Sequence, residues 1–174
     1  MARNFSLDDA RRLYDDIEDL CKDDYHYWLQ RGSLEVQHGN LKVARNWLQQ
    51  AFAGGEHDHR VQTEWAYYLL KSAWKNPNGE DAEERVATGK EILLEQIAVR
   101  GGEDSYPWHV YGSQMLAWIR RAPMSDDQRA RELETVKKHI DEAVRLFPRM
   151  RDLRDLKRDI EEEWLMTAVP PDLK

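Results

Sequence analysis

Cysteine is nearly absent: Cys21 is the single one in 174 residues. No disulfide can form within the chain, which fits a reducing compartment. Long apolar runs are missing too. None approaches the ~20 residues a helix needs to cross a bilayer, and the first residues lead into acidic sequence rather than an apolar leader. No membrane association is expected, and a cytoplasmic location is. Glycine (9) and proline (6) are few and stand where helices should end, which excludes a chain disordered as a whole. Positive charge is in deficit, with 26 Lys and Arg against 33 Asp and Glu and a formal charge of −7. Nucleic acid and anionic membranes both need clustered cations, so this balance disfavours them as partners.

Catalytic patterns are also wanting. The sequence has no G-x-S-x-G elbow, HExxH helix or dinucleotide glycine fingerprint. His57-Asp58-His59 offers two histidines in a turn without further ligands. Glu35-x-x-His38 has the spacing of a di-iron ligand pair but lacks a second such pair, and His139 has no partner in its neighbourhood. Cys21 falls on the apolar stripe of its helix and reads as a buried small hydrophobe. The expectation is a non-enzyme with no catalytic residue, cofactor or metal.

Aromatic residues, by contrast, are plentiful. Seven Trp and seven Tyr can each bury roughly 150–250 Å², enough for a sizeable core. Periodicity is helical nearly throughout. Ser6 with Asp8 and Asp9 starts a helix whose stripe is Leu7, Ala10, Leu13, Tyr14, Ile17, Leu20 and Cys21. A second helix runs over 24–38, where Gly39 closes it and Asn40 can cap the next. The third, over 41–53, carries Leu41, Ala44, Trp47, Leu48, Ala51 and Phe52 and ends at Gly54-Gly55. Further helices are predicted over 58–75, 81–99, from Pro107 to before Pro123, from Ser125 to Phe147, and over 150–167, with Pro170-Pro171 closing the ordered chain. The fold class is all-α, about eight helices with short connections.

Trp28, Gly32, Gly39, Ala44, Leu48 and Ala51 follow the spacing of a helix–turn–helix repeat. A small residue on each helix lets the two approach, and bulky ones fill the space beside them. This resembles the tetratricopeptide repeat, whose first helix pairs a Trp with Leu-Gly and Tyr and whose second carries Ala, Phe and a final Pro. The first copy departs from that pattern with Arg31 in place of Leu, Glu35 in place of Tyr and no closing Pro. A second copy starts near Arg60, with Trp65-Ala66 and Leu69. A third has Tyr111-Gly112 and Met115, then Ile140, Ala143 and Pro148.

The expected organisation is a single domain over 1–174, built as a short solenoid of antiparallel helix pairs. Residues 1–23 form a covering helix, 24–148 three irregular repeats and 149–174 a capping helix and tail. Tyr25–Ala51 followed by Val61–Ala73 also resembles the C-terminal helical repeats of bacterial STAND-type NTPases, some of which act in anti-phage defence. In that family the repeats sense a partner while separate domains hydrolyse nucleotide. No GxxxxGK[ST] loop occurs here, so the resemblance implies a sensor part alone.

Repeats of this kind line a concave face with their first helices. Counted from Trp28, the partner-binding candidates are His26, Gln37, Arg60, Thr63, Tyr67, Lys71, Tyr106 and His109. Leu29, Ser33, Val36, Leu70, Ser113 and Leu116 lie among them. Aromatic and cationic anchors suit a protein or peptide ligand, and the expected function is a non-catalytic scaffold or sensor. Self-association and membership of a larger multidomain protein are both compatible with the chain. The alternative is a phosphate or nucleic-acid binder using the cations from Arg120 to Arg158, although Asp and Glu interleaved there read as a helix surface laced with ion pairs.

Overall fold

The computed structural model describes residues 6–168. These form eight α-helices and no strand: α1 (Leu7–Cys21), α2 (Tyr25–His38), α3 (Leu41–Gly55), α4 (His59–Lys75), α5 (Ala82–Arg100), α6 (Tyr106–Ile119), α7 (Asp126–Leu146) and α8 (Arg151–Ala168). The predicted helices thus all form, with ends within two residues of expectation except for α6, which stops at Ile119, three residues short of the place before Pro123. Pro170-Pro171 lies outside the described residues. The chain divides inside α4 into two compact units, Met1–Tyr68 and Leu69–Lys174.

Local sequence explains most helix ends. Ser6 opens α1 with a capping box, its hydroxyl accepting from the Asp9 amide at 3.2 Å while the Asp9 carboxylate accepts from the Ser6 amide at 3.1 Å. Ser125 and Gln128 repeat the device at α7. Gly39 closes α2 at φ 81°, and the Gly39 and Asn40 amides donate to the carbonyls of Val36 and Glu35.

Two expectations about turns fail. Asn40 makes no side-chain cap on α3. Gly54-Gly55 does not end α3, which runs through Gly55. The pair makes room for Tyr25, whose ring lies where a Cβ on Gly55 would come within 2.4 Å of it.

In the first unit α2 packs on α3. A Cβ on Gly32 would lie 2.7 Å from the Leu48 side chain and 3.2 Å from its amide nitrogen, so the two helices meet where the sequence places a glycine. Leu29, Val36, Ala44, Leu48 and Ala51 are buried around that contact, each large side chain contributing roughly 1.5–3 kcal/mol. Trp28 stacks on Trp47 with centroids 5.0 Å apart, and its indole N–H donates to the Lys22 carbonyl at 2.8 Å. α1 lies against α2 but buries none of its side chains. The expected stripe is half-buried, Leu13 and Leu20 are 53% and 86% exposed, and Cys21 is half-buried rather than buried. A helix with one neighbour has no second surface to close over its apolar side.

In the second unit α5 packs on α6, α6 on α7 and α7 on α8, with α6 also touching α8. Gly112 takes the place of Gly32: a Cβ there would come within 2.6 Å of Ile140 on α7 and 2.8 Å of Leu156 on α8. Tyr111, Met115, Ile140, Leu153 and Ile160 are buried about it. The Trp108 indole donates to the Gly101 carbonyl at 2.8 Å, tying the end of α5 to the start of α6.

Candidate functional site

The second unit has a cleft of about 530 Å³ between α5 and α7, within the 300–1,000 Å³ typical of ligand pockets. Met115 and Trp118 of α6 form its floor, with Val86 of α5 and Met124 of the α6–α7 connection beside them. Glu83 and Lys90 on α5 and Arg131 and Glu132 on α7 add charges of both signs. Lys90 Nζ reaches Glu132 Oε2 at 2.9 Å and ties α5 to α7.

The sequence borders this cleft with the six-residue connection between α6 and α7. Pro123 cannot continue α6, and Ser125 restarts the helix with its capping box. Arg129 folds back to donate to the Ile119 carbonyl, which satisfies one of the open carbonyls at the end of α6. This connection lines the cleft with Ala122, Pro123 and Met124, over Met115 and Trp118, which are themselves largely buried. One turn before Met115, Tyr111 is wholly buried. Its hydroxyl has no hydrogen-bond partner among the described residues. Burial first, and then the Glu132 carboxylate, push that phenol well above its ordinary range, so it stays protonated. The lining offers apolar burial with charge recognition at the rim.

The expected partner-binding residues are spread over both units. His26 and Arg60 come together around Asp58. The Asp58 Oδ2 accepts from the Tyr25 hydroxyl at 3.0 Å and lies 3.7 Å from His26 Nε2, while its Oδ1 accepts from the Arg60 amide at 2.7 Å. Burial works to raise Asp58, yet the Arg60 amide, the Tyr25 hydroxyl and the nearby cations outweigh it and hold the carboxyl below its ordinary value. A shallow notch of about 420 Å³ opens beside it, lined by Tyr25, Gly54, Gly55 and His57.

Gln37 is exposed at the other end of α2. Thr63 is buried and its hydroxyl donates to the His59 carbonyl at 2.8 Å, so it presents no group to a partner. Lys71 is buried as well, and burial followed by Lys75 pushes its ammonium below the usual lysine value. Tyr67 and His109 are half-buried and Tyr106 is exposed. Counting along a helix fixes which residues share a face; it does not say which face a neighbour covers.

The basic stretch is mostly neutralised in place. Arg120 pairs with Glu163, Lys137 and Lys157 with Asp141, Arg145 with Glu142, and Arg151 and Arg158 with Asp155. Among the described residues no group of His, Cys, Asp and Glu could hold a metal ion, and no helix is long and apolar enough to cross a membrane. Compared with family models, curated proteins and solved structures, the chain finds no match in any of the three.

Proposed function

We infer that this chain is a tetratricopeptide-like helical interaction module that binds a peptide segment of a partner protein in the α5–α7 cleft. The observation that carries this reading is the cleft itself: an apolar floor of Met115 and Trp118 under a rim whose charges are balanced across it. A peptide can bury an apolar side chain on that floor and meet the rim with either sign of charge. Local neutralisation of the α7 and α8 cations favours this over phosphate recognition. A sensor part of a larger assembly, as in STAND-type NTPases, is the role this fits best.

Peptides selected from a random displayed library against the full chain test the proposal, with affinities measured by fluorescence anisotropy. Ala87 lines the cleft and is exposed, so Ala87→Trp should fill the cleft without disturbing the core. At least a tenfold loss of affinity with unchanged circular dichroism is expected. Selected peptides that tolerate Ala87→Trp but are lost on His26→Ala with Arg60→Glu would move the binding face to the first helices and overturn the reading.

A further inference from the structure

We propose that α1 is a displaceable cover, and that the α2 face beneath it docks a partner helix carrying an arginine followed four and seven residues later by acidic residues. The observation lies in how α1 is held. It contributes no buried side chain, and its contacts with α2 combine one aromatic edge, Tyr14 against Tyr27 with centroids 5.7 Å apart, with a set of ion pairs. The Arg11 guanidinium forks onto Glu35, with Nε to Oε1 at 2.7 Å and Nη2 to Oε2 at 2.6 Å. In the opposite sense Arg31 of α2 donates to Asp15 and, at 2.7 Å, to Glu18 of α1. The Tyr27 hydroxyl completes the set by donating to the Tyr14 carbonyl at 2.8 Å. Arg11, Asp15 and Glu18 stand at i, i+4 and i+7, one face of a helix.

The receiving groups on α2 are held in place by their own unit. Arg31 lies over the Trp47 ring of α3, 4.2 Å from its centroid, and also donates to the Tyr27 hydroxyl at 2.7 Å. Glu35 is buried on α2. With its charges already fixed, the face needs little reordering when one helix replaces another. Arg31 and Glu35 are also the two first-helix positions at which the first copy departs from the repeat pattern. Where that pattern puts Leu and Tyr, this chain has a cation and an anion one turn apart, both of them used to hold α1. Charge complementarity therefore names the occupant: a helix of another protein that repeats the Arg, Asp and Glu pattern of α1. The connection to α2 is only Lys22–Asp24, so α1 stays at a high effective concentration, and a competitor binds in proportion to how far α1 is loosened.

A fluorescent synthetic peptide spanning Ser6–Lys22, with Cys21→Ser, is the probe. It is titrated against the full wild-type chain and against full chains carrying Asp15→Ala with Glu18→Ala, or Arg11→Ala. Both variants should bind the peptide at least tenfold more tightly than wild type, because their own α1 is loosened while α2 is unchanged. A peptide with Arg11→Glu should lose that gain. The two variants serve as mutual controls, each with circular dichroism to show that it is folded. Equal affinity for all three chains, or equal binding of the Arg11→Glu peptide, overturns the proposal. Light scattering that shows the variant chains as dimers overturns it too, assigning the face to a second copy. The proposal does not rest on the α5–α7 cleft: Ala87→Trp should leave this peptide's affinity unchanged, so the two readings fail separately.

Discussion

Helix α2 is held on its two sides by different physics. Toward α3 it presents Gly32, and Leu48 fills the space so closely that a Cβ would lie 2.7 Å from its side chain. Toward α1 it presents Arg31 and Glu35, met by Asp15, Glu18 and Arg11, and Tyr27, met edge-on by Tyr14. Close apolar packing is insensitive to salt and unforgiving of shape. An ionic contact at a surface is weakened by salt and acid and tolerates small displacements. One helix therefore serves as scaffold and as docking surface. In the second unit α6 uses one close apolar contact for two neighbours, since Gly112 meets both Ile140 of α7 and Leu156 of α8. There the recess forms where the chain lengthens the connection before α7.

Removing apolar contact on each side sharpens the comparison most. Leu48→Ala should cost roughly 2–5 kcal/mol in chemical unfolding, whereas Leu20→Ala, on the exposed side of α1, should stay within about 0.5 kcal/mol. Similar losses at both positions would mean that α1 is integral to the core. Gly32→Leu should come next, at roughly 1–3 kcal/mol, because Leu48 is fully buried and has little room to yield. An unshifted melting temperature would show that α2 and α3 can separate at that point.

The ionic side should give the smallest effect, visible only locally. Arg11 holds the Glu35 carboxyl below its ordinary value of 4.5. A carboxyl lowered by folding stabilises fully above its unfolded value, and that contribution is lost as pH falls through the lower folded value. Amide exchange of α1, corrected for the intrinsic pH dependence of exchange, should therefore quicken relative to α2 and α3 as pH is taken below about 4.5. Raising salt from 0.1 to 1 M at neutral pH, where the screening length shrinks from about 10 to about 3 Å, should do the same. If α1 and α2 lose protection together, the two sides of α2 are not independent.

Much of the scaffold could be read without coordinates. Helix boundaries followed from Ser6, Gly39, Pro107 and Ser125, whose effects act within one turn. The close approach at Gly32 was legible because a glycine and a buried leucine recur at fixed spacing. The exposure of the candidate residues was not. Thr63 and Lys71 share a helical face with Arg60, yet both are buried. Gly54-Gly55 looked like a stop and proved to be a seat for Tyr25, 29 and 30 residues earlier in the chain. The cleft gathers α5, α6 and α7, and no one segment carries its pattern.

By itself the sequence determined the helices, their ends and the glycine contacts that pair them, because these depend on neighbours within a turn or on a repeated spacing. Tertiary structure alone decided that Arg31 and Glu35 answer to α1 and that Met115 and Trp118 floor an open cleft. Charge pairing and exposure depend on which segments are brought side by side. That choice is made by the whole set of helix contacts at once, and no local stretch encodes it.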